Sequence, residues 1–182
     1  LSERKLLVLF IGPPASGKST VGEIVARLIQ NPSNTLFIQS DTIRRMIAKP
    51  IYTKRESRAV YTAMRVLCAH FLKRGYSVFV DATFPKRIQR EPFKALAKRF
   101  DALFFAFWFK CSLDTVLKRN AQRSGWRVVP SDKLIRMYAA FEEEEGLYMV
   151  DTERLSAEDA ARYILQTINS IKVSQEALGE SG

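Results

Sequence analysis

Histidine is almost missing: His70 is the only one in 182 residues. A lone histidine builds no histidine metal centre, and because His70 falls within the long helical segment ahead of the third strand, no His-based triad is expected either. Cysteine is nearly as scarce. Cys68 and Cys111 stand far apart without a CxxC spacing, so neither a zinc site nor a disulfide framework is expected, and both read as small buried hydrophobes. No apolar run approaches the roughly 20 residues of a membrane-crossing helix. The longest aromatic stretch, Phe104 to Phe109, has only the length of a strand. The opening Leu-Ser-Glu-Arg-Lys leads through Leu6 to Ile11 into a glycine-rich turn, without the apolar stretch and small-residue cleavage site of a secretory signal. A cytoplasmic location is expected, with no membrane partner. Internal repeats are absent as well.

Hydrophobic residues make up 47% and charged residues 26% of the chain, proportions that suit one globular core and leave little room for a second domain. The formal charge of +10 is unevenly spread. Residues 44 to 127 hold 20 of the 29 Lys and Arg but 5 of the 19 Asp and Glu, a net of +15 against −5 for the remainder. This basic middle fits either a face for a polyanion, nucleotide or nucleic acid, or a solvated basic surface.

Short apolar runs alternate with amphipathic segments. Leu6 to Ile11, Leu36 to Gln39, Val78 to Val80, Leu103 to Phe109 and Leu147 to Val150 are continuously apolar, as strands buried on both faces are. Phe104, Phe105, Phe107, Trp108 and Phe109 accordingly read as core. Helices are expected over Lys18 to Gln30 (Val21, Ile24, Val25, Leu28 inward), Thr42 to Ala48, and Ser57 to Arg74 (Val60, Met64, Leu67, Cys68, Phe71 inward). Further helices are expected over Gln89 to Arg99, from Ser112 with Val116 and Leu117 inside, and from Ser131 with Leu134, Ile135 and Tyr138. A last one starts at Ser156, where Ser-Ala-Glu-Asp is a capping pattern. Strands alternating with helices predict an α/β fold, a five-stranded parallel sheet sandwiched between helices. One domain is expected over 1–172, followed by a flexible tail over 173–182. The run Glu142 to Glu145 reads as a solvated helix end.

The strongest signal is Gly12-Pro13-Pro14-Ala15-Ser16-Gly17-Lys18-Ser19, a complete GxxxxGK[ST] motif between a strand and a helix. Its glycines let successive backbone N–H groups turn toward phosphates, and the helix N-terminus adds positive potential. Lys18 is expected at the β- and γ-phosphates of ATP and the Ser19 hydroxyl on Mg2+, with Thr20 completing the nucleotide-binding set. These features predict a P-loop NTPase fold.

Ligands of open parallel sheets bind beyond the carboxyl ends of the strands. The second strand ends in Gln39-Ser40-Asp41, with Arg44 one helical turn on. Asp41 is either the base that takes a proton from an acceptor hydroxyl, with Arg44 holding an acceptor anion, or a helix cap beside a surface arginine. The third strand ends in Val80-Asp81-Ala82-Thr83, which puts Asp81 where a Walker-B-type carboxylate steers Mg2+ or its water, or where a turn residue sits. Arg119 and Arg123 stand four apart on one helix face, ahead of Ser124-Gly125-Trp126-Arg127. They are either lid arginines that meet the nucleotide's phosphates on closure or a solvated basic helix end.

These segments, together with Val116 to Arg123, Val129-Pro130 and Met137-Tyr138, resemble the kinase domains of phage-type 5′-hydroxyl polynucleotide kinase and of archaeal seryl-tRNA kinase over about Lys5 to Gly146. The resemblance implies a five-stranded parallel sheet with the P-loop strand central. It also implies that Asp41 is the general base, Arg44 an acceptor contact, and Lys18 and Ser19 the ATP and magnesium ligands. Arg123 would be the lid arginine on the transferring phosphate. Both families read Asp-Thr-Asn after the third strand, where this chain has Asp81-Ala82-Thr83-Phe84, with Thr83 the candidate acceptor contact. The phage enzyme's phosphatase domain and the seryl-tRNA enzyme's helical tRNA-binding domain are not expected in these residues. A nucleic-acid 5′-hydroxyl end, which needs only a local channel, is therefore the favoured acceptor. A seryl-tRNA acceptor, a small-molecule acceptor (nucleoside, antibiotic or amino acid) and a non-catalytic nucleotide switch share the same ATP half.

Overall fold

A computed structural model describes residues 4–29, 32–47 and 53–179. Five strands are present among them: β1 (Leu6–Ile11), β2 (Thr35–Gln39), β3 (Ser77–Asp81), β4 (Leu103–Lys110) and β5 (Leu147–Asp151). They form one all-parallel sheet in the order β2-β3-β1-β4-β5. The P-loop strand is central, as the resemblance implies. All six residues of β1 are buried, because both of its faces are covered. Val8 lies beside Phe79 on one flank and Phe105 on the other.

Two cores follow from the alternation of side chains along β1. Leu6, Val8 and Phe10 face α1 (Lys18–Leu28) and α7 (Ala157–Gly179), where Val21, Val25, Ala160 and Ile164 meet them. Leu7, Leu9 and Ile11 face the layer holding α2 (Ser40–Ile47), α3 (Lys54–Lys73) and α4 (Arg87–Arg99). Phe10 anchors the first core, meeting Phe79, Phe107 and Phe109 edge-on with centroids 5.9, 6.3 and 5.3 Å away. Truncating such a ring to Ala costs about 3–5 kcal/mol. A smaller cluster of Cys111, Val116 and Leu134 joins α5 (Leu113–Ala121) to α6 (Ser131–Ala139) near the carboxyl end of β4.

Several boundaries move for local reasons. α3 starts at Lys54, ahead of Ser57, because the Thr53 side chain accepts the Glu56 N–H at 3.1 Å and caps it. Its inward row is Val60, Met64, Cys68 and Leu72; Leu67, expected inside, falls beside that row and is 37% exposed. Leu28 and Ile135 likewise face outward at 51% and 43%. α1 ends at Leu28 and α2 at Ile47, so the expected ends Gln30 and Ala48 lie outside the described residues. α7 runs on to Gly179, so the backbone of 173–179 continues that helix; 180–182 lie outside the described residues.

The acidic run is not a helix end. α6 stops at Ala139, and the following segment is fastened to α4: the Arg87 N–H donates to Glu142 Oε2 at 2.9 Å and Arg90 pairs with Glu144 at 2.6 Å. Phe141 stacks on Trp108 at 4.7 Å, which secures the same segment against β4. Among the described residues, no helix is long and apolar enough to cross a membrane.

Candidate active site

The loop after β1 is built from strained backbone. Gly12 has φ 150°, and a Cβ there would stand 2.8 Å from the Phe109 carbonyl oxygen, so only glycine fits. Ala15 is left-handed at φ 66°, which is rare outside glycine and costs on the order of 1–3 kcal/mol. The Gly12 N–H donates to the Thr83 carbonyl at 3.1 Å and ties this loop to the end of β3. Gly17, also left-handed, leads into α1. The arrangement turns the loop's backbone and the start of α1 toward one concavity, a setting for phosphates.

Lys18 is folded back into that concavity. Its ammonium donates to the carbonyls of Gly12 (2.9 Å) and Pro13 (2.8 Å) and to Ser16 Oγ (3.3 Å), with both Ser16 and Lys18 buried. Burial pushes the Lys18 pKa down, an effect that Asp81 and then Asp41 oppose and Arg123 reinforces. The Ser19 hydroxyl donates to Asp81 Oδ2 at 2.7 Å. Burial raises the Asp81 carboxyl above the usual range, against the pull of Lys18 and the Ser19 hydrogen bond. Lys18, Asp81, Asp41 and Arg123 thus share one electrostatic neighbourhood, although they come from four places in the chain. A hydroxyl beside a buried carboxylate offers hard oxygen donors, the kind Mg2+ takes alongside phosphate oxygens.

Asp41 sits exposed in the first turn of α2, at the open side of this group. Arg44 is turned away from solvent: its guanidinium pairs with Glu56 of α3 at 2.6 Å, and both side chains are buried. Thr83 is half-buried, and its hydroxyl lies 3.3 Å from the Tyr61 hydroxyl, which also accepts the Phe84 N–H at 3.1 Å. Phe84 is fully buried and left-handed at φ 44°.

A cavity of about 310 Å³ lies beside the phosphate loop, with Ala15, Gly17, Thr20, Arg119 and Arg123 in its wall. Arg119 donates to the Thr152 carbonyl at 2.6 Å and to its hydroxyl at 3.1 Å, closing that wall against the end of β5. A cavity of about 360 Å³ lies at the opposite end of the sheet, by Leu6 and Ser77 at the strand starts, remote from these groups. The structure therefore gathers Gly12, Pro13, Pro14, Ala15, Ser16, Gly17, Lys18, Ser19, Asp81, Asp41, Arg119 and Arg123 around one end of the sheet, with Thr83 adjoining through the Gly12 hydrogen bond.

Residues 7–144 match the family model described as AAA domain. The chain belongs to this AAA-domain family. The match takes in the P-loop, Asp41, Asp81 and both arginines, and the fold is that of P-loop kinases. This AAA-domain protein is 23% identical to the L-seryl-tRNA(Sec) kinase of Methanococcus maripaludis, across 97% of this chain and 72% of the relative. Among solved structures it is similar to the APS kinase CysC of Mycobacterium tuberculosis, with TM-score 0.74 and 16% identity over 91% of this chain and 98% of that one. It is also similar to the Pnkp1/Rnl/Hen1 RNA repair complex, with TM-score 0.64 and 17% identity over 77% of this chain and 45% of that one. The seryl-tRNA kinase named by the sequence resemblance is represented among these relatives.

The sequence reading passed over four residues of this region. Glu56 was signalled by Thr53-x-x-Glu56, a capping pattern whose carboxylate has gone to Arg44 instead. Thr152 follows β5, a strand end open to the same inspection as the others. Buried Asn120 clasps the segment after α5, donating to the Val129 carbonyl at 2.8 Å and accepting its N–H at 3.0 Å. Tyr61 had no signal, since it lies twenty residues from Asp81 in a helix that otherwise reads as core.

Proposed function

We propose that this protein transfers the γ-phosphate of ATP to a hydroxyl carried by a nucleic acid, in the first instance the 5′-hydroxyl end of a polynucleotide. The carrying observation is the position of Asp41, an exposed carboxylate that shares its neighbourhood with Lys18, Asp81 and Arg123, in a chain whose residues 44 to 127 carry a net charge of +15. A small sugar or amino acid needs no such basic surround, whereas the backbone next to a nucleic-acid end does.

The steps follow from the side chains. Lys18 exchanges its hydrogen bonds to the Gly12 and Pro13 carbonyls for the phosphates, and the loop backbone holds the rest. Ser19 and Asp81 would hold Mg2+, which supplies neutralisation of the phosphate oxygens when bound. Asp41 accepts the proton from the attacking hydroxyl. Arg123, at the base of the segment that follows α5, offsets charge on the transferring group. Arg44, held by Glu56, would reach an acceptor anion only by exchanging that partner, and Thr83 contributes a hydroxyl on the acceptor side.

A second reading has the serine hydroxyl of an aminoacylated tRNA as acceptor; it is favoured by the similarity to the seryl-tRNA(Sec) kinase across most of this chain. Incubating the protein with labelled ATP, Mg2+ and a panel of 5′-hydroxyl oligonucleotides, seryl-tRNA and nucleosides separates the readings. Transfer to the oligonucleotides should weaken with salt at a log-log slope of about −0.7 per neutralised phosphate. Salt-insensitive transfer to a nucleoside or amino acid alone would overturn both.

A further inference from the structure

The most distinctive surface feature that the phosphotransfer scheme leaves unused is an indole. Trp126 lies three residues past Arg123 in the segment that follows α5, and it is 41% exposed. Its ring is covered by guanidinium groups from two directions: Arg45 of α2 with its Cζ 5.0 Å from the ring centroid, and Arg127 at 5.5 Å. Arg45 and Arg127 are both exposed. The contact therefore runs from the segment carrying Arg123 to the helix carrying Asp41.

Position gives that contact meaning. Asp41 and Arg45 are four residues apart on α2, about 6 Å along its axis, and residues at that spacing share a helix face. Arg45 thereby ties Trp126 to the helix whose first turn carries Asp41, which places the indole on the side from which an acceptor would reach that carboxylate. Single-stranded nucleic acid is bound elsewhere in nature by this combination, an aromatic face for a base and cations for its phosphates. An arginine on an exposed indole is a weak cation–π pair and is readily displaced.

We infer that Trp126 is the stacking platform for the base of the acceptor's terminal nucleotide, with Arg45 and Arg127 taking the phosphate that follows it. This rests on the polynucleotide reading above. The base displaces Arg45 from the indole, and the released guanidinium moves onto the backbone phosphate, so the protein's own contact covers the platform until the acceptor arrives. No covalent step is involved.

The test compares a 5′-hydroxyl oligonucleotide with the same strand carrying an abasic sugar at its 5′ end, using the parent, Trp126→Ala and Trp126→Phe. For the parent, the abasic end should raise acceptor KM by about 5- to 150-fold, the range of one base–aromatic stack. Trp126→Ala should raise KM for the intact strand to the parent's abasic level and leave the abasic strand unchanged. Trp126→Phe should keep most of the discrimination, and nucleotide affinity should be the same in all three. Equal use of both strands by the parent, or penalties that simply add in Trp126→Ala, would overturn the platform while leaving the polynucleotide reading intact. A parallel loss of nucleotide affinity in Trp126→Ala would overturn it too, by making Trp126 a latch between the segment and α2. If the parent phosphorylates neither strand, the acceptor reading falls and the platform with it.

Discussion

Ser19 and Asp81, 62 residues apart in sequence, are joined by a 2.7 Å hydrogen bond from hydroxyl to carboxylate at the mouth of the phosphate loop. Burial raises the Asp81 carboxyl above its ordinary range, so the metal-free fold retains a proton there over a pH window in which the unfolded chain has released it. That contribution to stability is full below the ordinary carboxylate range and is lost as pH rises through the raised value. A bound cation needs the opposite state, the carboxylate. The Mg2+-dependent part of the thermal shift with ATP should therefore shrink as pH falls through the Asp81 pKa, and Asp81→Asn should show little such dependence. Melting curves with and without Mg2+ across acidic to neutral pH check it; an equal pH effect in Asp81→Asn would remove Asp81 from the cation site.

Lys18 makes three hydrogen bonds inside its own loop and none to the hydrophobic cores. Lys18→Ala should keep the circular dichroism of the parent and lose at least about 10²-fold in phosphotransfer, the scale of losing one charge-stabilising donor. Transfer at the parental rate by a folded Lys18→Ala protein would contradict the assignment of the loop.

The Arg44–Glu56 pair is buried on both sides, so removing one partner leaves an uncompensated charge in the interior. Glu56→Ala should lower unfolding free energy by about 3–5 kcal/mol in denaturant titration. A loss under about 1 kcal/mol would mean the pair behaves as a surface ion pair. Arg44→Ala carries the same structural cost, and where it remains folded it should raise acceptor KM while sparing nucleotide affinity if the guanidinium exchanges Glu56 for an acceptor anion.

The fold was legible because β1, β3 and β4 are apolar runs of strand length that the sheet buries, with the shorter runs of β2 and β5 at its edges, and because the Gly12 to Ser19 motif marks the turn from β1 into α1. The P-loop half of the site was legible for the same reason: strand ends locate Asp41 and Asp81 without any tertiary knowledge. The acceptor half was not. Whether Arg44 points to solvent or to Glu56 depends on how α2 packs on α3, and side-chain spacing within one helix carries no information about that. The Glu142 to Glu145 run is exposed at three of its four residues, as read, but its fastening to α4 was hidden because the partners Arg87 and Arg90 lie more than fifty residues away. Tyr61 and Asn120 act through hydrogen bonds to backbone atoms of distant loops, which leave no trace in composition or periodicity.

The central claim is that Asp41 takes the proton of the acceptor hydroxyl. The most direct measurement is single-turnover transfer of labelled phosphate from ATP to a 5′-hydroxyl oligonucleotide by the parent and by Asp41→Asn, with nucleotide affinity measured on the same samples. General-base assistance is worth on the order of 10²–10⁴ in rate. The account predicts that Asp41→Asn binds ATP as the parent does and transfers phosphate slower by about that factor. Transfer at the parental rate, with nucleotide affinity intact, would reduce Asp41 to a residue of the first turn of α2 and contradict the account.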